Sequence, residues 1–379
     1  MQVEQNRWSQ ALGWEMKFPN PLCKEAELVF LFGSRAILKK TLPLDEIKKA
    51  YPNAHFLGCS SAGEIYDTKV TDDTLVLSAV KFDATPIKGV SARISDFKDS
   101  AHVGKFLAES LNQEGLTHLF VLSDGLKING SDLVKGITEH LPAGVTVTGG
   151  LAGDGSLFQE TVVFWEGQAT SGIVAAIGFY GSKIKIGCGS LGGWDSFGPE
   201  RLITKSKENV LYTLDDKPAL ALYKQYLGDH AEGLPATGLL FPLSVRTSQH
   251  ETAVVRTILA VSEEEGSLTF AGDMPVGAYA RLMKANFNRL IDVAVGAATI
   301  CHETTLSHPP ELAILISCVG RKLVLKQRIE EEVEGVREVL GKETPLAGFY
   351  SYGEISPFTP TVKCELHNQT MTITTFSER

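Results

Sequence analysis

The six cysteines, at positions 23, 59, 188, 301, 318 and 364, include no C-x-x-C pair. That excludes a zinc knuckle and a thioredoxin-type dithiol, and the lack of C-x-x-C-H excludes the usual covalent haem attachment. Free, mostly buried thiols are expected instead. No uninterrupted apolar stretch is long enough to cross a bilayer, so membrane insertion is not expected. Residues 1–18 carry no continuous apolar run of the kind a secretory leader needs. There is no basic excess: 36 Lys and Arg stand against 45 Asp and Glu, for a formal charge of −9. That argues against a nucleic-acid partner. Low-complexity segments are absent too. What remains is a globular composition, 43% hydrophobic and 21% charged, and the expectation is a cytoplasmic protein of two domains or one large one.

What the sequence does contain is a repeat. Residues 58–64 read Gly-Cys-Ser-Ser-Ala-Gly-Glu, 148–154 read Thr-Gly-Gly-Leu-Ala-Gly-Asp, and 348–354 read Gly-Phe-Tyr-Ser-Tyr-Gly-Glu. Each ends in a glycine followed at once by an acid: Gly63-Glu64, Gly153-Asp154 and Gly353-Glu354. Glycine accepts positive φ and lets backbone or ligand approach closely. Upstream of each lies an apolar run, 28–32, 119–122 or 312–316, bounded by Gly, Ser or Asp, which reads as a buried strand. Helices are expected after these runs, over 44–50, 131–140 and 325–340; the last places Leu325, Ile329, Val333, Val336 and Leu340 on one face. Strand–helix–strand units imply parallel pairing with a right-handed crossover. The fold class is therefore α/β, with α+β character in places: repeated strand–helix–strand units with added antiparallel strands, in a two-part architecture.

The expected division is a lead-in over 1–24, a first domain over 25–200 and a second over 201–379, with a turn-rich boundary near 192–199. In the second part, 217–227 and 279–298 read as helices and 254–261, 267–270, 362–366 and 371–376 as strands. Ligands of open α/β sheets bind outside the carboxyl ends of the strands. The three Gly-acid loops are thus expected to line one cleft.

Gly58 to Glu64 and Gly149 to Asp154 resemble the N-terminal part of the FIST sensory family. Cys318-Val319-Gly320-Arg321, Gly348 to Ile355 and Leu366-His367-Asn368-Gln369-Thr370 resemble the end of its C-terminal part, and the resemblance spans roughly 25–376. It implies a sensor of small molecules, amino-acid-like ligands among them, that acts in signal transduction. No output domain is recognisable, so the signal would pass to a separate partner. Free-standing members of similar layout include haem-containing nitric-oxide sensors that act on a histidine kinase; the motifs alone do not assign haem here.

The strand-end loops supply the candidate ligand-binding residues. Arg35 and Arg321, read as matching positions, suit bidentate capture of a carboxylate. Ser34, Ser60, Ser61, Ser351 and backbone at Gly63, Gly150, Gly153 and Gly353 add hydrogen-bonding groups. Glu64, Asp154 or Glu354 suits an ammonium group, Asp124 is expected to point into the same space, and Cys59, Cys318, Tyr350 and Tyr352 complete the walls. An amino acid or small carboxylate fits this set better than a polyanion. The bland alternatives are surface ion pairs, ordinary turns and core aromatics. If haem is bound, His367 is the best-placed axial ligand; otherwise it caps a hairpin. Two further readings are weaker. Gly187 to Gly192 matches G-x-G-x-x-G, but a turn follows it where a helix is required. Cys59 or Ser60 as a nucleophile lacks an evident base.

Overall fold

A computed structural model describes the chain except residues 41–42, 248–252, 306–308, 358–363 and 379. Each of the three predicted units forms, and each opens with a parallel pair: Leu28–Gly33 with His55–Ser60, Leu116–Ser123 with Thr146–Leu151, and Leu312–Cys318 with Leu346–Ser351. The apolar runs are buried on both faces, which is why they read as continuous rather than alternating. A later strand returns antiparallel against the first of each pair: Thr74–Lys81, Ile173–Tyr180 and Met371–Glu378. A further antiparallel strand is added by Gln2–Ser9, Ile87–Arg93 and Ile184–Leu191 respectively.

The units also exchange hairpins in a ring. The hairpin after the first Gly-acid loop, Glu64–Tyr66 with Lys69–Thr71, pairs with Leu346–Ser351 of the third unit. Val163–Trp165 of the second unit pairs with His55–Ser60 of the first. Gly353–Pro357 of the third pairs with Thr146–Leu151 of the second. No unit completes its sheet alone, so two six-stranded sheets and one of seven strands form one interlocked body.

One face of each sheet meets a shared aromatic core. Phe30 packs on Phe120, Phe32 on Phe349, and Phe376 on both Phe120 and Phe179. Helices cover the outer faces. Ser100–Ser110, Gly130–Thr138 and Phe287–Thr304 each begin at a side-chain cap, from Asp99, Asn129 and Asn286.

The close approach within each parallel pair explains one repeated residue. Gly58, Gly149 and Gly348 stand opposite Leu31, Val121 and Leu315. A Cβ at any of the three would collide with that neighbour's carbonyl. These glycines serve strand contact, not the turn.

The stretch 194–285 is inserted between Ile184–Leu191 and the helix Phe287–Thr304 and builds its own eight-stranded sheet. It starts with Trp194–Lys207, a strand of 14 residues running through the expected turn-rich region. Two expectations need correction. The helix expected over 279–298 is a strand, Tyr279–Ala285, followed by a helix, Phe287–Thr304. The helix expected over 325–340 is two, Val319–Leu325 and Ile329–Leu340, joined by a short 3-10 turn. The expected strand over 362–366 is observed as Cys364–His367, its first two residues lying outside the described ones.

Candidate functional site

The three Gly-acid loops meet where the units interlock. Ala62 N–H donates to the Tyr350 carbonyl at 2.8 Å, Gly153 N–H to Ser60 at 2.9 Å, and Tyr352 N–H to Leu151 at 3.2 Å. Each loop is therefore tied to another unit's loop or strand end. Gly63 has φ +140, which suits glycine. Gly353 does not have positive φ and lies in a strand; a side chain there would meet Leu151 and Leu366 instead.

Beside this ring opens a cavity of about 480 Å³. Of the sequence-selected residues, Ser34, Arg35, Ser61, Gly63, Glu64 and Asp154 line it. The rest of the wall includes Asp72, Asp73 and the loop 155–157, with Val319, Lys322 and Leu323 of the third unit. Arg35 reaches Asp154 through Nη1 at 3.4 Å, and the same nitrogen reaches the Glu160 carbonyl at 3.4 Å. These long contacts hold the guanidinium loosely, and about a quarter of the side chain is exposed. Ser34 Oγ is buried with no hydrogen-bond partner among the described residues. Lys322 Nζ bonds the Ala62 carbonyl at 2.8 Å, pairs with Asp72 and lies 5.7 Å from the Tyr350 ring centroid.

Glu64 and Asp154, the two buried acids among the four at the cavity, are held differently. Glu64 accepts from the Ser61 hydroxyl, from Thr74 N–H at 3.0 Å and from the Thr74 hydroxyl at 2.8 Å. Burial nevertheless pushes its carboxyl up to about 7, against the hydrogen bonds that favour the anion. Asp154 instead accepts three backbone N–H groups, from Phe158 at 2.8 Å, Gln159 at 3.0 Å and Glu160 at 2.9 Å, together with the Tyr352 hydroxyl. It folds the loop 155–160 around itself.

The other selected residues do not line this cavity. Arg321 is fully buried: it pairs with Glu332 at 2.6 Å and donates to the carbonyls of Gly192 and Leu290 at 2.7 Å. Strand register explains its departure from Arg35. Gly33 and Ser317 hold equivalent positions, opposite Ser60 and Tyr350, so Arg321 is two residues further along its helix than Arg35 and turns inward. Tyr350 donates to Glu332 in the same buried network. Glu354 repeats Glu64 in the third unit: it accepts from Ser351 Oγ at 2.5 Å and from Thr370 N–H and hydroxyl, and burial pushes it up to about 8. Asp124 is buried under the N–H groups of Leu126, Lys127 and Gly172 and the hydroxyls of Thr161 and Ser171. Ser60 Oγ accepts from Val162 N–H at 3.0 Å. Cys59 and Cys318 are buried thiols pushed up by desolvation, and both lie off the cavity. Gly150 and Gly153 lie in closely packed backbone, and Tyr352 borders a second, smaller cavity.

His367 is 1% exposed and its Nε2 donates to the Ser356 carbonyl at 2.7 Å. Burial lowers its pKa to about 4. It lines neither cavity, and the open cavity's wall contains no His, Cys, Met or Tyr side chain. These residues do not fit a haem held through His367.

Lys322, Asp72 and Asp73 were not selected from sequence. A signal for the two aspartates existed. Asp72-Asp73-Thr74 and Asn368-Gln369-Thr370 precede equivalent strands, and their middle residues share left-handed φ, 56 and 65. Lys322 reaches the cavity from a different unit, which sequence position does not reveal.

Exchanged α/β units thus meet beside an open cavity lined largely by charged and hydroxyl side chains. The sequence pattern of the FIST N domain matches residues 27–217, just over half of the chain, and that of the FIST C domain matches 219–357. The chain belongs to the FIST family, whose domains are associated with sensing in signal transduction. No curated protein matches it. A solved structure titled "Structure of PurLQS from Thermotoga maritima" aligns at 11% identity over 94% of this chain and 67% of that one, with a TM-score of 0.17. At that score it carries no argument about the fold.

Proposed function

We propose that this protein is a cytoplasmic sensor, not an enzyme, that binds an amino acid or small carboxylate in the cavity between Arg35, Glu64, Asp154 and Lys322. Its state is read by a separate signalling partner, of which a histidine kinase is one kind. The observation that carries this reading is Arg35. Its guanidinium borders the cavity, with one nitrogen engaged only by long contacts. A carboxylate meeting the rest of that planar fork would gain a charge-assisted, bidentate contact. Ser34 Oγ, without a partner among the described residues, and Ser61 stand on the same wall, and Glu64 and Asp73 suit an ammonium group. Ligand binding would shift the balance between two arrangements of the protein.

Thermal-shift screening with amino acids and small carboxylates tests this. A true ligand in excess raises the melting temperature by mass action, and Arg35→Ala abolishes the rise without lowering the melting temperature of the free protein. If none of these compounds stabilises the wild-type chain, the amino-acid and carboxylate reading fails.

A further inference from the structure

Tyr352 stands between the cavity and the inserted sheet. On the cavity side, its hydroxyl donates to Asp154 Oδ1 and approaches the Gly155 carbonyl at 3.1 Å. Its ring stacks on Phe158 with centroids 4.4 Å apart. On the other side, its carbonyl accepts from Asn368 Nδ2 at 3.4 Å, and Asn368 Oδ1 accepts from Thr257 N–H of the inserted sheet at 3.4 Å. The neighbouring Gln369 donates through Nε2 to Thr257 Oγ1 at 3.0 Å and to the Leu239 carbonyl at 3.1 Å, and its own carbonyl accepts from Trp194 Nε1 at 3.0 Å. The His-Asn-Gln-Thr segment is thus the seat of the inserted sheet.

Three features make this junction able to hold two arrangements. Phe158 has φ 52, a left-handed conformation costly for a bulky residue, and the loop holding it is pinned by the Asp154 carboxylate. A void of about 90 Å³ separates Tyr352 and Leu126 from Leu259 and Phe270 of the inserted sheet. It is a partly open cleft, its lining residues Leu126 and Leu259 only half-buried, and it gives the ring somewhere to move. At the seat, Gln369 has φ 65 and a buried Oε1 with no hydrogen-bond partner among the described residues. Strain on one side, space in the middle and an incompletely satisfied contact on the other belong to a junction of low local stability.

We propose that the inserted sheet, 194–285, is the output element, and that Tyr352 couples it to the state of Asp154 and the loop 155–160. This rests on the cavity being the ligand site proposed above. A ligand that draws Arg35 away from Asp154 or contacts Asp154 itself loosens the loop. The Phe158–Tyr352 stack then shifts toward the void, and the Asn368–Thr257 seat changes with it.

Hydrogen exchange read by mass spectrometry on the full chain tests this without any ligand. Asp154→Asn is expected to raise exchange at 155–160 and also at Thr257 and Ala271 in the inserted sheet, by about two- to thirtyfold, the span of couplings carried through packed side chains. Tyr352→Phe keeps the loop's three amide contacts to Asp154, so exchange at 158–160 stays near wild type while that at Thr257 rises. In the double variant, Asp154→Asn adds nothing further at Thr257. If Asp154→Asn lowers global stability, Phe158→Gly, which relieves the left-handed residue and removes the stack, is expected to give the same rise at Thr257. Exchange changes confined to 155–160, or an undiminished effect of Asp154→Asn at Thr257 in the Tyr352→Phe background, would overturn the coupling. Failure of amino acids to bind would overturn the ligand reading and leave these variant measurements readable.

Discussion

Glu64 and Glu354 hold the same place in two repeats and meet different neighbours. Each follows a Ser-x-x spacing, accepts from that serine, and accepts from the backbone and hydroxyl of a threonine at the start of the returning strand. Glu64 lines an open cavity, with Asp72 and Asp73 at its rim. Glu354 is fully buried, and Asn368 and Gln369, the counterparts of those two aspartates, are bonded to the inserted stretch instead of standing at a rim. The repeat therefore supplies scaffold and acid alike, and what is packed on top decides which copy stays open. Asp124 shows a third solution. In the second unit the acid comes from the end of the first strand and caps Gly172, the counterpart of Asp73, internally.

The largest expected effect breaks the scaffold common to all three units. Gly348→Val places a side chain against the Leu315 carbonyl, inside a fully buried parallel pair. It should abolish soluble, cooperatively unfolding protein, measured by yield and near-ultraviolet circular dichroism. The same outcome is expected for Gly149→Val, because the requirement belongs to the repeat and not to the cavity. A well-folded variant at either position would show that the parallel strands can separate, and the equivalence of the units would lose its physical basis.

A smaller effect separates the two arginines. Arg321→Met leaves Glu332 buried without its cation, and loss of one partner of such a pair costs about 3–5 kcal/mol. Urea denaturation should show that loss. Arg35→Ala removes a side chain with only long contacts and should change stability by no more than about 0.5 kcal/mol. Equal losses for the two would contradict the assignment of one to the core and the other to the cavity.

The smallest effect concerns pH. Glu64 and Glu354 are raised in the folded state to about 7 and about 8. A carboxyl raised by folding contributes stability that is fully present below its unfolded value and is lost as pH rises through the folded one. Stability should therefore decline from about pH 4.5 toward pH 8 through these two groups. Both groups act from about pH 4.5 to 7 and Glu354 alone from about 7 to 8. Glu64→Gln should therefore lessen the slope below about pH 7 only, whereas Glu354→Gln should lessen it there and remove the decline above about pH 7, read from denaturation midpoints across the range. A wild-type profile that rises between pH 5 and 8, unchanged by either substitution, would show that both carboxyls are ionised throughout.

Much of the frame was legible because its signals are local. Apolar runs ending in Gly, Ser or Asp marked the parallel strands; the three Gly-acid loops meet, but they do not line one cleft as expected, since the third, Gly353-Glu354, is buried away from the cavity. The hairpin exchange was not legible, since Val163–Trp165 finds its partner a hundred residues upstream by pairing that no local pattern encodes. Residues Ala280 to Ala285 are mostly strong helix formers, so propensity favoured a helix where an antiparallel neighbour on each side imposes a strand. Within the site, Arg35, Glu64 and Asp154 were found by chemistry and position. Arg321 has the same chemistry, but it stands two residues further along its helix than Arg35 does, and that sends it into the core. Lys322, beside it on the same helix, reaches the cavity instead.

The central claim is that the first unit's cavity, and not its buried counterpart in the third, takes the ligand. Isothermal titration with the amino acid or carboxylate that most raises the melting temperature tests it most directly. One equivalent should bind per wild-type chain, binding should be lost in Arg35→Ala, and it should persist in Glu354→Gln. Unchanged binding in Arg35→Ala, with loss in Glu354→Gln, would place the ligand in the third unit and contradict the account.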